Sequence, residues 1–256
     1  MDFYLKRVYD NFEVLIMEFE VNMTLYISGD THGVLDAGKL KELRAKKEDY
    51  IIICGDCGVL WDKKSAQQTI EFFESLEATI LFIDGNHENF DMLKALPITE
   101  YLGGRVHKIS DKIYHLIRGE VFEIGGKKIL ALGGAESHDK EYREEHKTWW
   151  RDEAICNSDI RNALSNLSKC DNKVDVVLTH IPPSKFKKQI IQEFTQCGED
   201  TPLYIEPKLA NTASEELLKQ VEKVVRFKCW FSGHLHTDTH IGKYYSLYDY
   251  VVPIKI

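Results

Sequence analysis

Five short apolar runs occur along the chain. Each contains β-branched or aromatic residues, is bounded by turn residues and is too short for a typical helix, which is the pattern of a buried strand. The runs are Thr24–Ser28, Tyr50–Cys54, Thr79–Asp84, Val174–Thr179 and Cys229–Ser232. We therefore predict five buried strands.

Apolar residues at helical spacing lie between several of these runs. The predicted helices are Lys39–Lys46, Ala66–Leu76, Ile160–Leu167 and Leu217–Val225. The change from strand to helix and back indicates an α/β architecture.

The middle of the chain has a different pattern, in which apolar and polar residues alternate. The alternating segments are Lys112–Ile117, Glu120–Ile124 and Lys128–Leu132. Gly125 and Gly126 are suited to a hairpin turn between the last two. The C-terminal segment Tyr244–Ile256 is also strand-like. These segments predict a second sheet packed on the first.

The length of 256 residues fits one sizeable domain. The strand pattern begins only at Met23, so we interpret residues 1–22 as an N-terminal extension and residues 23–256 as a single domain. Residues 184–212 are polar and irregular. We expect an insertion or a flexible rim there, with a short helix at Lys185–Phe194.

Composition and charge limit the kinds of binding partner and the cellular compartment that we expect. The net charge of -8 counts against nucleic acid or a membrane surface as the main partner. No apolar run approaches the ~20 residues of a spanning helix, and the N-terminus is unlike a signal peptide. The six cysteines are irregularly spaced, which favours a reducing, cytoplasmic setting. We interpret the CxxC of Cys54 and Cys57 as a buried strand end and a loop residue rather than a redox pair.

Residues that can bind metals follow each of the five strands. In chain order they are Asp30 and His32, Asp56, Asn86 with His87, His180, and His234 with His236. Ligands gather at the carboxyl ends of strands in open α/β sheets, so we expect these side chains to meet at one edge. A glycine precedes four of them, which lets the backbone turn sharply and leaves room near the site. Each motif alone is common, but the joint pattern is hard to assemble by chance.

The order Asp-x-His, Gly-Asp, Gly-Asn-His-Glu, His and Gly-His-x-His resembles the calcineurin-like metallophosphoesterase superfamily. The resemblance extends from about Leu25 to about Asp238. The stretch from Gly133 to Trp150, together with Trp230–His236, is similar to a bacterial and phage branch. The resemblance implies an α/β fold, a four-layer α/β/β/α sandwich of two mixed β-sheets flanked by helices, with a dinuclear metal site above the sheet edges.

The resemblance also implies roles for these residues. Asp30, His32 and His236 would bind one divalent metal ion. Asn86, His180 and His234 would bind a second, and Asp56 would bridge the two. Oxygen and nitrogen ligands without a thiolate suit Mn, Fe or Zn, and the pattern does not select among them. His87 would donate a hydrogen bond to the phosphate or a proton to the leaving oxygen.

The implied activity is hydrolysis of a phosphomonoester or phosphodiester by a hydroxide that bridges the metals. Two divalent cations bring four positive charges, of which Asp30, Asp56 and the hydroxide remove three. The site would therefore be net positive inside an acidic protein, which suits a small phosphate ester, with nucleotides among the candidates.

The bridging loop departs from the pattern of phosphoprotein phosphatases. Those enzymes carry Gly-Asp-x-x-Asp-Arg-Gly, whereas Val59 and Leu60 occupy the second Asp and the Arg here. A phosphoprotein substrate is therefore less favoured. Asp62 or Glu88 could support His87 in place of the absent Asp.

We expect substrate contacts from the polar segment between Glu136 and Arg151. Lys140, Arg143 and Arg151 are candidates for the phosphate, and Trp149 and Trp150 for stacking on a flat group. The alternative is a solvated loop with two packing tryptophans.

Two other functions fit parts of the pattern. A catalytically silent metal-binding scaffold would not need His87. A nuclease would be expected to carry a basic stripe, which the acidic chain lacks. The sequence therefore favours a dinuclear, metal-dependent phosphoric ester hydrolase.

Overall fold

Two mixed β-sheets form the centre of the protein. The computed structural model describes residues 23–196 and 211–256. Its strands are β1 (Thr24–Ser28), β2 (Tyr50–Cys54), β3 (Thr79–Ile83), β4 (Ile98–Tyr101), β5 (Gly104–Lys108), β6 (Ile113–Leu116), β7 (Glu120–Ile124), β8 (Lys127–Leu132), β9 (Val176–Thr179), β10 (Cys229–Ser232), β11 (Thr239–Ile241), β12 (Tyr244–Ser246) and β13 (Val251–Lys255).

Helices cover the outer faces of these sheets. They are α1 (Gly38–Lys41), α2 (Lys63–Glu74), α3 (Phe90–Lys94), α4 (Asn157–Ser168), α5 (Ser184–Gln196) and α6 (Ala213–Glu222), with short 3-10 turns at Lys140–Tyr142 and Arg151–Glu153. Within the described ranges, no helix is both long enough and apolar enough to cross a membrane.

The first sheet has the order β13-β1-β2-β3-β6-β5-β4, and the second has the order β11-β12-β10-β9-β8-β7. Strands β1, β2, β3 and β6 run parallel, as do β8, β9, β10 and β12. The carboxyl ends of β1, β2 and β3 therefore lie side by side in one sheet, and those of β9 and β10 lie side by side in the other.

The strands are apolar on both faces because each sheet separates two cores. In β2, Ile52 contributes to the core between the sheets, whereas Ile51 and Ile53 pack under the helices of the first sheet. In β10, Phe231 faces the inner core and Trp230 packs with α4 and α6. This alternation produces four layers, helix–sheet–sheet–helix, in agreement with the predicted architecture.

The predicted strands lie at the expected positions, but several belong to a different sheet from the one predicted. The alternating segments were expected to form the second sheet, but β6 pairs with β3 in the first. The C-terminal segment divides, since β12 joins the second sheet and β13 pairs antiparallel with β1. Strands β9 and β10, predicted alongside the first three, belong to the second sheet. Residue spacing reports which faces are buried, not which strand is the neighbour.

Helices α2 and α6 begin earlier than predicted. The residues of their first turns are largely polar, so the spacing of apolar residues does not reveal them. Helix α6 begins at Ala213 rather than Leu217, since Thr212 and Glu215 close a capping box. Helix α2 begins at Lys63, where the Asp62 side chain accepts from two backbone amides. Helix α1 ends at Lys41 rather than Lys46. Helix α3 and the strands β4 and β5 were not predicted, and the side chains of β4 are mostly exposed.

The segment predicted as an insertion or rim begins with a regular helix. Helix α5 contains the predicted Lys185–Phe194 and is longer at both ends. Phe186 and Ile190 are buried and pack with Leu235, next to the fifth motif. Residues 197–210 and 1–22 lie outside the described residues, so the assignments of the insertion and the extension stay predictions.

A buried ion pair fixes α5 to α6. The side chains of Lys187 and Glu215 are 2% and 0% exposed, and Lys187 Nζ lies 2.8 Å from Glu215 Oε1. Because α5 starts four residues after His180, this pair helps to hold the chain that follows the fourth motif.

We predict that Lys187→Met lowers the free energy of unfolding by about 3–5 kcal/mol, because it leaves the Glu215 charge buried without its partner. Urea unfolding monitored by circular dichroism measures the loss. Lys188→Met, at an exposed position of the same helix, is the matched control. Adding Glu215→Gln should recover most of the stability, and a Lys187→Met protein as stable as the control would contradict this role.

Candidate metal centre

The carboxyl ends of five strands bring the predicted ligands together where the two sheets meet. Four of these residues form one group, in which one ligand atom from each lies within 4.8 Å of the others. They are Asp30, His32, Asp56 and His236. Within this group, His32 Nε2 lies 3.5 Å from Asp56 Oδ2, and His236 Nε2 lies 3.1 Å from Asp30 Oδ2.

A second group surrounds His180. Its Nε2 lies 3.3 Å from Asp56 Oδ1, 3.2 Å from Asn86 Oδ1 and 3.3 Å from His234 Nδ1. Asp56 therefore faces both groups, with Oδ2 directed to the first and Oδ1 to the second. All seven predicted ligands lie in one connected cluster.

The donor set fits divalent cations. Asp30 and Asp56 are 0% and 1% exposed, and burying two neighbouring carboxylates is unfavourable without cationic partners. Asp30 Oδ1 accepts from the His234 amide at 3.0 Å, and Asp30 Oδ2 faces His236 Nε2 at 3.1 Å. A buried carboxylate oxygen directed at an imidazole in this way is suited to metal coordination, and carboxylate, amide and imidazole suit Mn, Fe or Zn.

Four of these residues have a left-handed backbone. The φ angles are 42° for His32, 50° for Asp56, 68° for His234 and 50° for His236. This conformation is uncommon for residues other than glycine and is concentrated at functional sites. The strain is consistent with a backbone shaped to direct these side chains inward.

Glycines next to the ligands leave the room that was predicted. A Cβ at Gly85 would lie 2.1 Å from Asp56 Oδ1, and one at Gly55 would lie 2.2 Å from His180 Nδ1. A Cβ at Gly233 would lie 2.2 Å from Asp30 Oδ1. Gly29 differs, because its Cβ would meet the backbone oxygen of Leu247 at 2.0 Å instead of a site side chain.

Residues that were not predicted hold the first group in place. Asp36 Oδ2 lies 2.6 Å from His32 Nδ1, which directs His32 Nε2 towards Asp56. Tyr248 stacks on the His236 ring, with centroids 4.6 Å apart. Lys39 Nζ donates to the backbone oxygen of Asp30 at 2.6 Å.

The second group is supported by a chain of hydrogen bonds. Asn86 Nδ2 donates to Ser137 Oγ at 3.4 Å, which leaves Asn86 Oδ1 facing His180. Ser137 donates through both its amide and its hydroxyl to the buried Glu153, at 2.7 Å each. His180 Nδ1 lies 2.8 Å from the backbone oxygen of Cys54, so its Nε2 faces the cluster.

His87 lies beside the cluster and is not inside it. Its amide donates to Asp56 Oδ1 at 2.7 Å, and its ring is near Arg143, whose Nη1 lies 3.4 Å from His87 Nδ1. Burial and the Arg143 charge lower the pKa of His87, although Asp56 opposes the shift. The carboxylates of Asp62 and Glu88, suggested from the sequence as partners of His87, have other partners. Glu88 accepts from the amides of Cys57 and Gly58, and Asp62 caps α2.

The predicted substrate residues separate into two sets. Arg143 reaches His87 and is held by Asp139, with Nε 2.8 Å from Asp139 Oδ1. Trp149 donates to Glu153 at 2.7 Å and so belongs to the support of Asn86.

The other three are not brought to the cluster. Trp150 is 1% exposed and packs against Trp61, so it has no free face for stacking. The side chain of Arg151 is 82% exposed and lines a different cleft, and Lys140 is exposed on its 3-10 turn. Residue type alone could not separate packing from contact in this segment.

The CxxC cysteines are free buried thiols. Cys54 is the last residue of β2 and Cys57 lies in the following loop, as interpreted from the sequence. Burial raises the pKa of both thiols, which disfavours the reactive thiolate.

We predict that Gly85→Ala lowers metal affinity by about 10–100-fold, the loss typical when the support of a ligand is disturbed. The added methyl group would displace the Asp56 carboxylate. Metal titration by calorimetry measures the effect. Gly38→Ala is the control, since a Cβ there meets nothing within 4 Å. Equal affinities for the two variants would contradict the tight packing inferred around Asp56.

We predict that metal affinity falls as pH falls from about 9. Burial alone would lower the pKa of His32 and His180, but the Asp56 and Asp30 carboxylates outweigh it and raise each pKa to about 9. Metals bind neutral imidazole, so binding below that pH must release these protons. Calorimetry in buffers of different ionisation enthalpy measures the release. A binding heat that is the same in all buffers at pH 7 would contradict it.

Comparisons with known proteins identify the fold and the family. The fold is similar to the crystal structure of a phosphopantetheinyl hydrolase from Mycobacterium tuberculosis, with a TM-score of 0.51, 14% identity and 88% of each chain covered. No curated protein matches the sequence significantly. The sequence matches the calcineurin-like phosphoesterase family over residues 23–238. The chain belongs to that family, and this membership supports a metal-dependent phosphoesterase as its general activity.

Proposed function

We propose that the protein hydrolyses a small phosphate ester by attack of water activated between two divalent metal ions. The observation that carries the proposal is the position of Asp56, whose two carboxylate oxygens face two separate groups of ligands. A carboxylate placed in this way would be shared by two cations.

The ligands divide as the motif order implies. Asp30, His32 and His236 would hold one ion, Asn86, His180 and His234 would hold the other, and Asp56 would be shared. When bound, two such ions supply a water of lowered pKa and positive charge for the phosphate oxygens. The orientation of the candidate ligands supports this division, since Asp36 contacts His32 and Ser137, held by Glu153, contacts Asn86.

His87 and Arg143 would act on the phosphate from the edge of the cluster. Asp139 fixes the Arg143 guanidinium, which would donate to phosphate oxygens as a charged, planar donor. His87, anchored through its amide to Asp56, would donate to the phosphate or to the leaving oxygen. Arg143 would thus provide a guanidinium that the loop after Asp56 lacks.

The bridging loop favours a small substrate over a phosphoprotein. Val59 and Leu60 are 0% and 5% exposed and pack in the core under the helices. They offer no charge where phosphoprotein phosphatases carry Asp and Arg. Phosphomonoesters and phosphodiesters both remain compatible with the geometry.

The test combines metal analysis with hydrolysis of p-nitrophenyl phosphate and bis-p-nitrophenyl phosphate in Mn, Ni, Zn and Mg. We expect two metals per chain and turnover, and the preferred ester distinguishes monoesterase from diesterase. Asp56→Asn should weaken metal binding by more than about 100-fold and abolish turnover, because both ions share this ligand. A fully active Asp56→Asn protein with two bound metals would refute the assignment.

His87→Ala separates the ligands from the proposed acid. We expect both metals to be retained and kcat to fall by about 10²–10⁴-fold, the usual contribution of a positioned acid. His240→Ala on the edge strand β11 is the matched control and should keep the wild-type rate. Loss of a metal from His87→Ala would show that His87 is a ligand, and an unchanged rate would remove it from the mechanism.

A further inference from the structure

A cavity of about 400 Å³ opens directly beside the proposed metal centre. His32 and His87 belong both to its wall and to the edge of the cluster. The remaining walls come from the loop after His32, the loop after Asp56 and the start of α2. The volume is within the range of pockets that bind small ligands.

The wall of this cavity is largely apolar. Val34, Leu35 and Trp61 contribute apolar surface. The polar side chains that line it are mostly engaged in α2 itself. Ser65 donates to Asp62 at 2.6 Å, and Thr69 donates to the backbone oxygen of Ser65 at 3.0 Å. Gln68 is the exception, since its exposed side-chain amide can hydrogen-bond a ligand. The hydrogen-bonding capacity of this wall is therefore small but not zero.

The charge of the cavity disfavours an anionic ligand, because the Asp62 carboxylate is part of the wall. Among the described residues, neither a lysine nor an arginine lines it. Arg143, the guanidinium next to His87, is not part of the wall. A ligand group that carried further phosphates or a carboxylate would lose water there without gaining a cationic partner.

Leu35 adds an independent observation. Its residue is 81% exposed, and it is one of four large hydrophobic residues exposed to solvent in the described ranges. It lies three residues after His32, at the wall of the cavity. A single exposed leucine is common, but Leu35 joins Val34 and Trp61 in one concave apolar wall beside the proposed metal centre, which is typical of a ligand pocket.

We propose that this cavity binds the leaving group of the substrate, and that the substrate class is a phosphate ester of an uncharged, apolar alcohol. The inference rests on the proposed function. His87 would contact the leaving oxygen. The first carbon of the leaving group would therefore lie next to His87, and the rest of the group would extend past Trp61 towards Leu35.

The test uses methyl, butyl and hexyl phosphate. The three leaving alcohols have similar basicity, so the three esters have similar intrinsic reactivity. Differences in kcat/KM therefore report how well the alkyl chain is bound. We expect kcat/KM to rise by up to about fourfold for each methylene until the cavity is filled. The phosphate ester of 6-hydroxyhexanoate, which ends in a carboxylate, should lose most of the gain of hexyl phosphate.

Leu35→Ser tests the cavity wall. The ratio of kcat/KM for hexyl over methyl phosphate should fall by about threefold or more, since an apolar contact is removed. Ile98→Ser is the matched control, because Ile98 is 58% exposed and lies on the edge strand β4. Thermal melting verifies that both variants are folded.

Binding of methylphosphonate and hexylphosphonate by calorimetry gives a second readout that needs no turnover. Two results would overturn the inference and leave the proposed function intact. One is a kcat/KM that does not depend on the length of the alkyl chain. The other is an equal loss of kcat/KM for all esters in Leu35→Ser. Stronger binding of hexylphosphonate without hydrolysis of any ester would retain the cavity's preference and overturn the proposed function.

Discussion

Two buried carboxylates set the main physical constraint on this structure. Asp30 and Asp56 lie in the same small volume with almost no solvent contact. Burial alone would raise the pKa of both groups, yet His180 and the neighbouring imidazoles hold each pKa below its ordinary value. Such a concentration of buried negative charge is stable only when cationic groups and hydrogen-bond donors compensate it. The histidines, the left-handed backbone and the adjacent glycines are all arranged around this requirement.

The four-layer fold meets that requirement by fixing strand ends from both sides. A one-residue shift of a strand moves every side chain to the opposite face, and in a strand packed on both faces each side chain would then meet a core that is close-packed around another. Ile52 and Phe231 face the shared core, while Ile51 and Trp230 are held by helices on opposite outer faces. The residue that follows each strand is thereby placed with little freedom. Rigid strands thus position ligands that lie on loops.

The clustering of the candidate ligands could be predicted from sequence because each motif follows a buried strand. The residues that orient them could not, since Ser137 and Glu153 come from a segment whose polar composition fits an ordinary surface loop. The same limitation affected Trp149 and Trp150. One supports Asn86 through Glu153 and the other is packed in the core, although the sequence presents them as a pair. The sheet to which each strand belongs could not be predicted either, because the spacing of apolar residues indicates burial and not which strands pair.

Both groups of ligands draw on both sheets. The first combines Asp30, His32 and Asp56 from one sheet with His236 from the other, and the second combines Asn86 with His180 and His234. An ion bound by such a group is a cross-link between the two halves of the sandwich. Ligands that bind only the folded state stabilise it in proportion to the logarithm of their concentration. The resistance of this chain to heat and proteolysis should therefore follow the metal supply of its surroundings, so that availability of the cofactor governs how long the protein persists as well as how fast it works.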